Sequence, residues 1–185
     1  QGSKSSAQWR FWRSHDRIER ENPVAQSGDL WVRDDRTLFH TRLYHADRRG
    51  IEYRSEDLQI LNAAPDWAAL ATLLDPRLVG ALHERESGWR DGYPYRRYTG
   101  AIGDVAWDIT VRTDQMLPIR IERRSADRQV ETVELLRSFD FGRSPWQPAA
   151  SADYDIIDYA DLGDHERDPF VMRVQAEEGG GRLHS

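Results

Sequence analysis

The chain contains no cysteine. Disulfide scaffolds, zinc ribbons, iron–sulfur clusters and thiol nucleophiles are therefore excluded. Compartment stays open on this count, because cytosolic and exported proteins can both lack the residue. Lysine is nearly absent as well: Lys4 stands alone among 26 basic residues, which leaves 25 arginines. No stretch approaches the roughly 18 consecutive apolar residues of a membrane-spanning helix. There is no phosphate loop, no dinucleotide fingerprint, no Gly-x-Ser-x-Gly elbow and no His-Glu-x-x-His. A non-catalytic protein without a cofactor is the expectation. The opening stretch, Gln1 to Gln8, is small and polar and reads as a trimmed end. It fits an exported chain whose signal peptide has been removed.

What is present is charge and aromatic surface. The 185 residues include seven Trp, seven Tyr and five Phe, enough large rings to build a core despite 31% charged residues. The net charge is −6. Asp153–Asp168 alone carries seven carboxylates against Arg167, so this one segment accounts for the whole excess. Elsewhere the charge is balanced, with no basic stripe to follow a phosphate backbone, and nucleic acid is not an expected partner.

The period of the apolar residues divides the chain. Residues 1–24 hold Trp9, Phe11, Trp12 and Ile18 in a pattern that suits a helix or a first strand. From Gly28 to Leu61, Trp31, Phe39, Leu43, Ile51 and Tyr53 alternate with polar neighbours, as in strands. Asp66 and Asp75 then stand where helix caps belong, the second followed by Pro76 at a first turn. Two short helices are expected over residues 66–84. After Gly88 the strand period returns in Tyr93–Gly100, Val105–Arg112, Leu117–Arg124 and Gln129–Phe141. Their short turns join antiparallel neighbours. These elements predict a mainly-β α+β fold in one domain, residues 25–176. Its strongly curved antiparallel sheet has the two helices over its concave face, and 177–185 is a flexible tail.

Such a sheet and its helices would enclose an apolar space. Trp31, Phe39, Trp67, Leu70, Leu74 and Trp107 are the candidate wall residues. The histidines give no ligand set: His40 and His45 are five apart, which puts them on opposite faces of one strand. In the acidic segment, Asp155, Asp158, Asp161 and Asp164 recur in threes. A cation such as calcium is one reading of them. Pairing with arginines on the sheet is another, and a docking strip for a protein partner is a third.

Three stretches carry a family resemblance. They are Gly28-Asp-Leu-Trp-Val-Arg with the hairpin through Tyr44-His-Ala-Asp, the paired helices of 66–84, and Trp107-Asp-Ile-Thr-Val-Arg-Thr-Asp-Gln-Met-Leu-Pro-Ile-Arg-Ile-Glu. Together they resemble the LolA/LolB-like group of bacterial envelope proteins, which includes the N-terminal domain of RseB/MucB-type regulators. The likeness spans about residues 25–140, and the acidic segment lies outside it. The resemblance implies an incomplete, strongly bent antiparallel barrel whose concave side accepts an acyl chain, a lipoprotein or another hydrophobic ligand. It also implies a periplasmic location, with a further envelope protein as an alternative partner. A monomer is the expected state.

Overall fold

The computed structural model of the chain describes residues 7–35, 37–125, 130–136 and 151–181, with the backbone alone at 130–135 and 178–181. The chain divides into two compact units, residues 1–64 with 146–185 and residues 65–145. The first unit opens with five consecutive antiparallel strands: β1 (Arg10–Arg13), β2 (Arg17–Asn22), β3 (Ser27–Asp34), β4 (Thr37–Tyr44) and β5 (Arg49–Tyr53). The N-terminal segment is thus two strands. Cross-strand register aligns Ile18, Trp31, His40 and Tyr53 in one row on one face. Leu30 and Leu43 lie on the other face, since neighbours along a strand alternate. A short helix, α1 (Ser55–Ile60), follows β5 and buries Leu58.

In the second unit, α2 (Trp67–Thr72) and α3 (Pro76–Gly80) precede β6 (His83–Arg90), β7 (Tyr93–Ile102), β8 (Val105–Arg112), β9 (Leu117–Arg124) and β10 (Val130–Leu135). Asp66 caps α2 by accepting from the amides of Ala68 and Ala69, and Asp75 caps α3 through the amide of Arg77. The five strands form an antiparallel meander in the order β10-β9-β8-β7-β6. Asp91 and Gly92, both at positive φ, make the two-residue turn between β6 and β7. On one face Ile109, Val111 and Ile121 are buried together with Leu74 and Leu82, and Leu78, Val79, Tyr98 and Trp107 pack around them.

The chain then returns to the first unit. β11 (Asp155–Asp158) pairs in parallel with the outer edge of β5, making that sheet six-stranded and mixed. A 3₁₀ turn over Tyr159–His165 and α4 (Pro169–Gly181) complete it. α4 includes Glu177–Gly181, which the sequence reads as tail.

The mainly-β α+β class is as expected, but its form is not. There are two sheets in place of one, and neither is closed or strongly curled. The incomplete barrel is corrected accordingly. The physical reason lies at β5. Its outer edge is taken by β11, so the strands after the helices extend a separate sheet. The expected strand over 129–141 is seen as β10 only at Val130–Leu135, and its remainder falls outside the described residues.

Candidate functional site

The six candidate wall residues do not form one site. Trp31 and Phe39 belong to the first unit, on opposite faces of its sheet. Trp31 pairs across strands with His40, and Phe39 pairs with Val32. Trp31 is consumed locally: its ring stacks on His40 at 3.7 Å and 6°. His40 in turn stands 5.5 Å from Tyr53, and Tyr53 is 4.9 Å from Tyr159. The Nε2–H of His40 donates to Asp29 Oδ1 at 2.9 Å. Burial alone would raise the Asp29 carboxyl, but His40, Arg42 and Arg20 outweigh it and hold it below the ordinary carboxylate range.

The other four residues lie in the second unit. Leu74 and Trp107 share the helix–sheet cluster, while Trp67 and Leu70 on α2 are half-buried. This layer has an unusual construction. Neither α2 nor α3 contains a single buried residue. The anchors are Leu74, between the helices, and Leu82, after them. Beneath lies an apolar floor of Ile109, Val111 and Ile121, with the half-buried rings of Tyr98 and Trp107 at its rim. The Arg123 guanidinium covers Trp107 at 5.7 Å.

The opposite face of the same sheet is charged. Arg97 forks onto Asp108 with bonds of 2.9 and 2.6 Å. Arg120 and Arg124 both pair with the buried Glu122, which stands directly across from Asp108. Two like charges opposite each other would repel, and three guanidiniums offset them. The Arg97 fork keeps the Asp108 carboxyl low despite partial burial, so it is a poor proton donor. A shallow depression of about 210 Å³ opens here, lined by Thr99, Ala106, Trp107, Asp108, Glu122 and Arg124.

The acidic segment is a clamp. Arg48 reaches Asp153 at 3.6 Å, and Arg49 bridges Asp155 at 2.9 Å and Asp168 at 2.7 Å. Arg54 holds Asp158 at 2.6 Å, and Arg173 of α4 holds Asp47 at 2.6 Å. The Tyr154 hydroxyl is hydrogen-bonded to His45 Nδ1 at 3.0 Å. The Arg49 bond and the amide of Phe170 hold the Asp168 carboxyl low. The candidate cation ligands are thereby separated: Asp155 and Asp158 face arginines, while Asp161 and Asp164 are exposed on the 3₁₀ turn. Among the described residues no three metal-ligating side chains come together. Sequence reasoning named arginines in general and missed which ones. The run Arg48-Arg49, placed in a turn, was the available signal.

No family model and no curated protein matches the chain. Among solved structures, two crystal forms of PNGF-II show a remote likeness, with TM-scores of 0.39 and 0.32 at 9% identity. These alignments cover 90% and 82% of this chain, but only 31% and 28% of the PNGF-II chain. The chain therefore spans less than a third of those proteins, and a likeness at this level carries no argument about fold or function.

Proposed function

We propose that the chain is a non-catalytic binding protein of the bacterial envelope. In this reading it holds a hydrophobic ligand, an acyl chain or lipoprotein tail, between α2–α3 and the five-stranded sheet. One observation carries the reading: the helical cover contributes no buried side chain from within either helix, yet it rests on an apolar floor. Helices of six and five residues have little stability of their own. Tertiary contact must hold them, and here Leu74 and Leu82 supply most of it. A cover anchored so sparsely opens at small cost. An acyl chain entering beneath it gains roughly 0.8 kcal/mol per buried CH₂. The site then consists of Trp67, Leu70, Leu74 and Trp107, and Trp31 and Phe39 fall away. The envelope location rests on the resemblance carried by the three stretches at Gly28–Asp47, residues 66–84 and Trp107–Glu122.

The reading is tested by native mass spectrometry of protein purified from its own host, paired with titration of a fluorescent fatty acid. A co-purifying lipid and saturable binding that Val111→Asp abolishes are expected. Lipid-free protein whose fluorescent signal is unchanged by Val111→Asp would overturn it.

A further inference from the structure

Among the described residues the outer edge of β6 is bare: no strand pairs with it beyond β7, and every residue from His83 to Arg90 except the half-buried Gly88 is exposed. An unpaired strand edge is a template for another strand. Natural edges are commonly blunted by bulges and charges, and the first half of β6 is treated in this way. The register slips between Glu84 and Glu86, Arg85 turns onto the Thr99 hydroxyl at 3.0 Å, and Glu84 pairs with Arg96 at 3.4 Å. The second half, Glu86-Ser-Gly-Trp-Arg90, is regular. Within it Trp89 is 75% exposed.

The charges of that half do not protect it against its own copy. Glu86 accepts from the Tyr95 hydroxyl, and Arg90 lies over the Tyr95 ring at 4.7 Å. Both therefore project from the same face of the sheet. Ser87 and Trp89 occupy the other face by alternation. If two copies align antiparallel with Gly88 opposite Gly88, Glu86 of each faces Arg90 of the other, twice. Ser87 likewise faces Trp89 twice. Every facing pair lies on a common side, and both charged pairs are of opposite sign. Directly opposed unlike charges favour pairing and like charges oppose it. Gly88 at the centre adds no side chain to the junction.

We infer that residues 86–90 of β6 form a self-complementary docking edge, through which two copies of this chain join their five-stranded sheets about a two-fold axis. The partner is a second copy because the charge order reads as its own complement only under two-fold antiparallel pairing. This edge is distinct from the helix-covered layer assigned to the ligand.

The test is sedimentation velocity of the full chain from about 1 to about 200 µM, the range in which small interfaces dissociate. A reversible monomer–dimer equilibrium is expected. Glu86→Arg alone and Arg90→Glu alone should each weaken it by roughly tenfold or more, since each variant sets like charges opposite one another twice. An equimolar mixture of the two variants should dimerise again, because both facing pairs are then of opposite sign. Hydrogen exchange at residues 86–90 should slow as wild-type concentration rises. A wild-type chain that stays monomeric overturns the proposal. So does a dimer indifferent to both variants, or a mixture that fails to restore the dimer.

Discussion

The two sheets are finished in opposite ways. In the first unit the edge of β5 is occupied by β11, and Arg48, Arg49 and Arg54 clamp the incoming strap. Its helix α4 buries Phe170, Val171 and Val174, with Phe170 edge-on to Tyr44 at 5.1 Å. In the second unit no strand among the described residues takes the outer edge of β6, and the covering helices bury nothing from within their own turns. Both units use arginine heavily, but to different ends. In the first it fastens chain to chain across more than a hundred residues of sequence. In the second Arg97, Arg120 and Arg124 quiet two carboxylates on neighbouring strands. Under the proposed function, binding belongs to the second unit and rigidity to the first.

The largest effects should fall on the strap. Phe170→Ala should cost about 3–5 kcal/mol in denaturant unfolding, as for other buried rings. Leu78→Ala, on the half-buried cover, should cost about 1 kcal/mol. Equal losses would break the contrast. Next in size, Arg49→Ala strands Asp155 and Asp168 and uncovers the Phe170 ring, which Arg49 overlies at 4.5 Å. A loss of about 1–3 kcal/mol is expected from the same measurement. Arg97→Ala should cost less, on the order of 1 kcal/mol, because that pair is more exposed.

Acid sharpens the comparison further. Asp29, Asp168 and Asp108 have folded pKa values below their unfolded ones. Their contribution is complete above about pH 4 and is lost as pH falls through the depressed values. Two of the three belong to the first unit, so it should give way first in an acid titration followed by hydrogen exchange. Burial pushes Glu19 the other way, against Arg17, and raises it. Its contribution is present below its unfolded value and is lost as pH rises through the folded one. Glu19→Gln should therefore be neutral or slightly stabilising at pH 7, and a marked loss there would contradict this assignment. The smallest effect is expected from Asp161→Asn with Asp164→Asn, within about 0.5 kcal/mol. Calcium or a chelator should leave the Tm of the wild-type chain unchanged.

Much of this architecture was legible in the residues, and the losses have causes. The alternation in 27–53 and 93–124 located β3–β5 and β7–β9, and Asp66, Asp75 and Pro76 located α2 and α3. β6 was hidden because His83-Glu-Arg-Glu-Ser-Gly-Trp-Arg has almost no apolar alternation. An edge strand exposed on both faces needs none. The turn signal Asp91-Gly92 was there to mark where it ends. β11 was hidden because Asp155-Ile-Ile-Asp gains its strand form from β5 and from arginines a hundred residues away, which no local pattern encodes. The candidate wall divided between two units because apolar periodicity reports that a residue is inward-facing, not which interior it faces.

In the proposed function α2 and α3 are a loosely held cover over an apolar floor. Native-state hydrogen exchange followed along the chain tests it most directly. The amides of residues 67–80 should exchange by a low-energy local opening, well before those of β8, β9 and the first turns of α4. Adding a long-chain fatty acid should slow them selectively. If residues 67–80 exchange only with global unfolding, or if the fatty acid leaves them unchanged, the account of this layer as the binding site is contradicted.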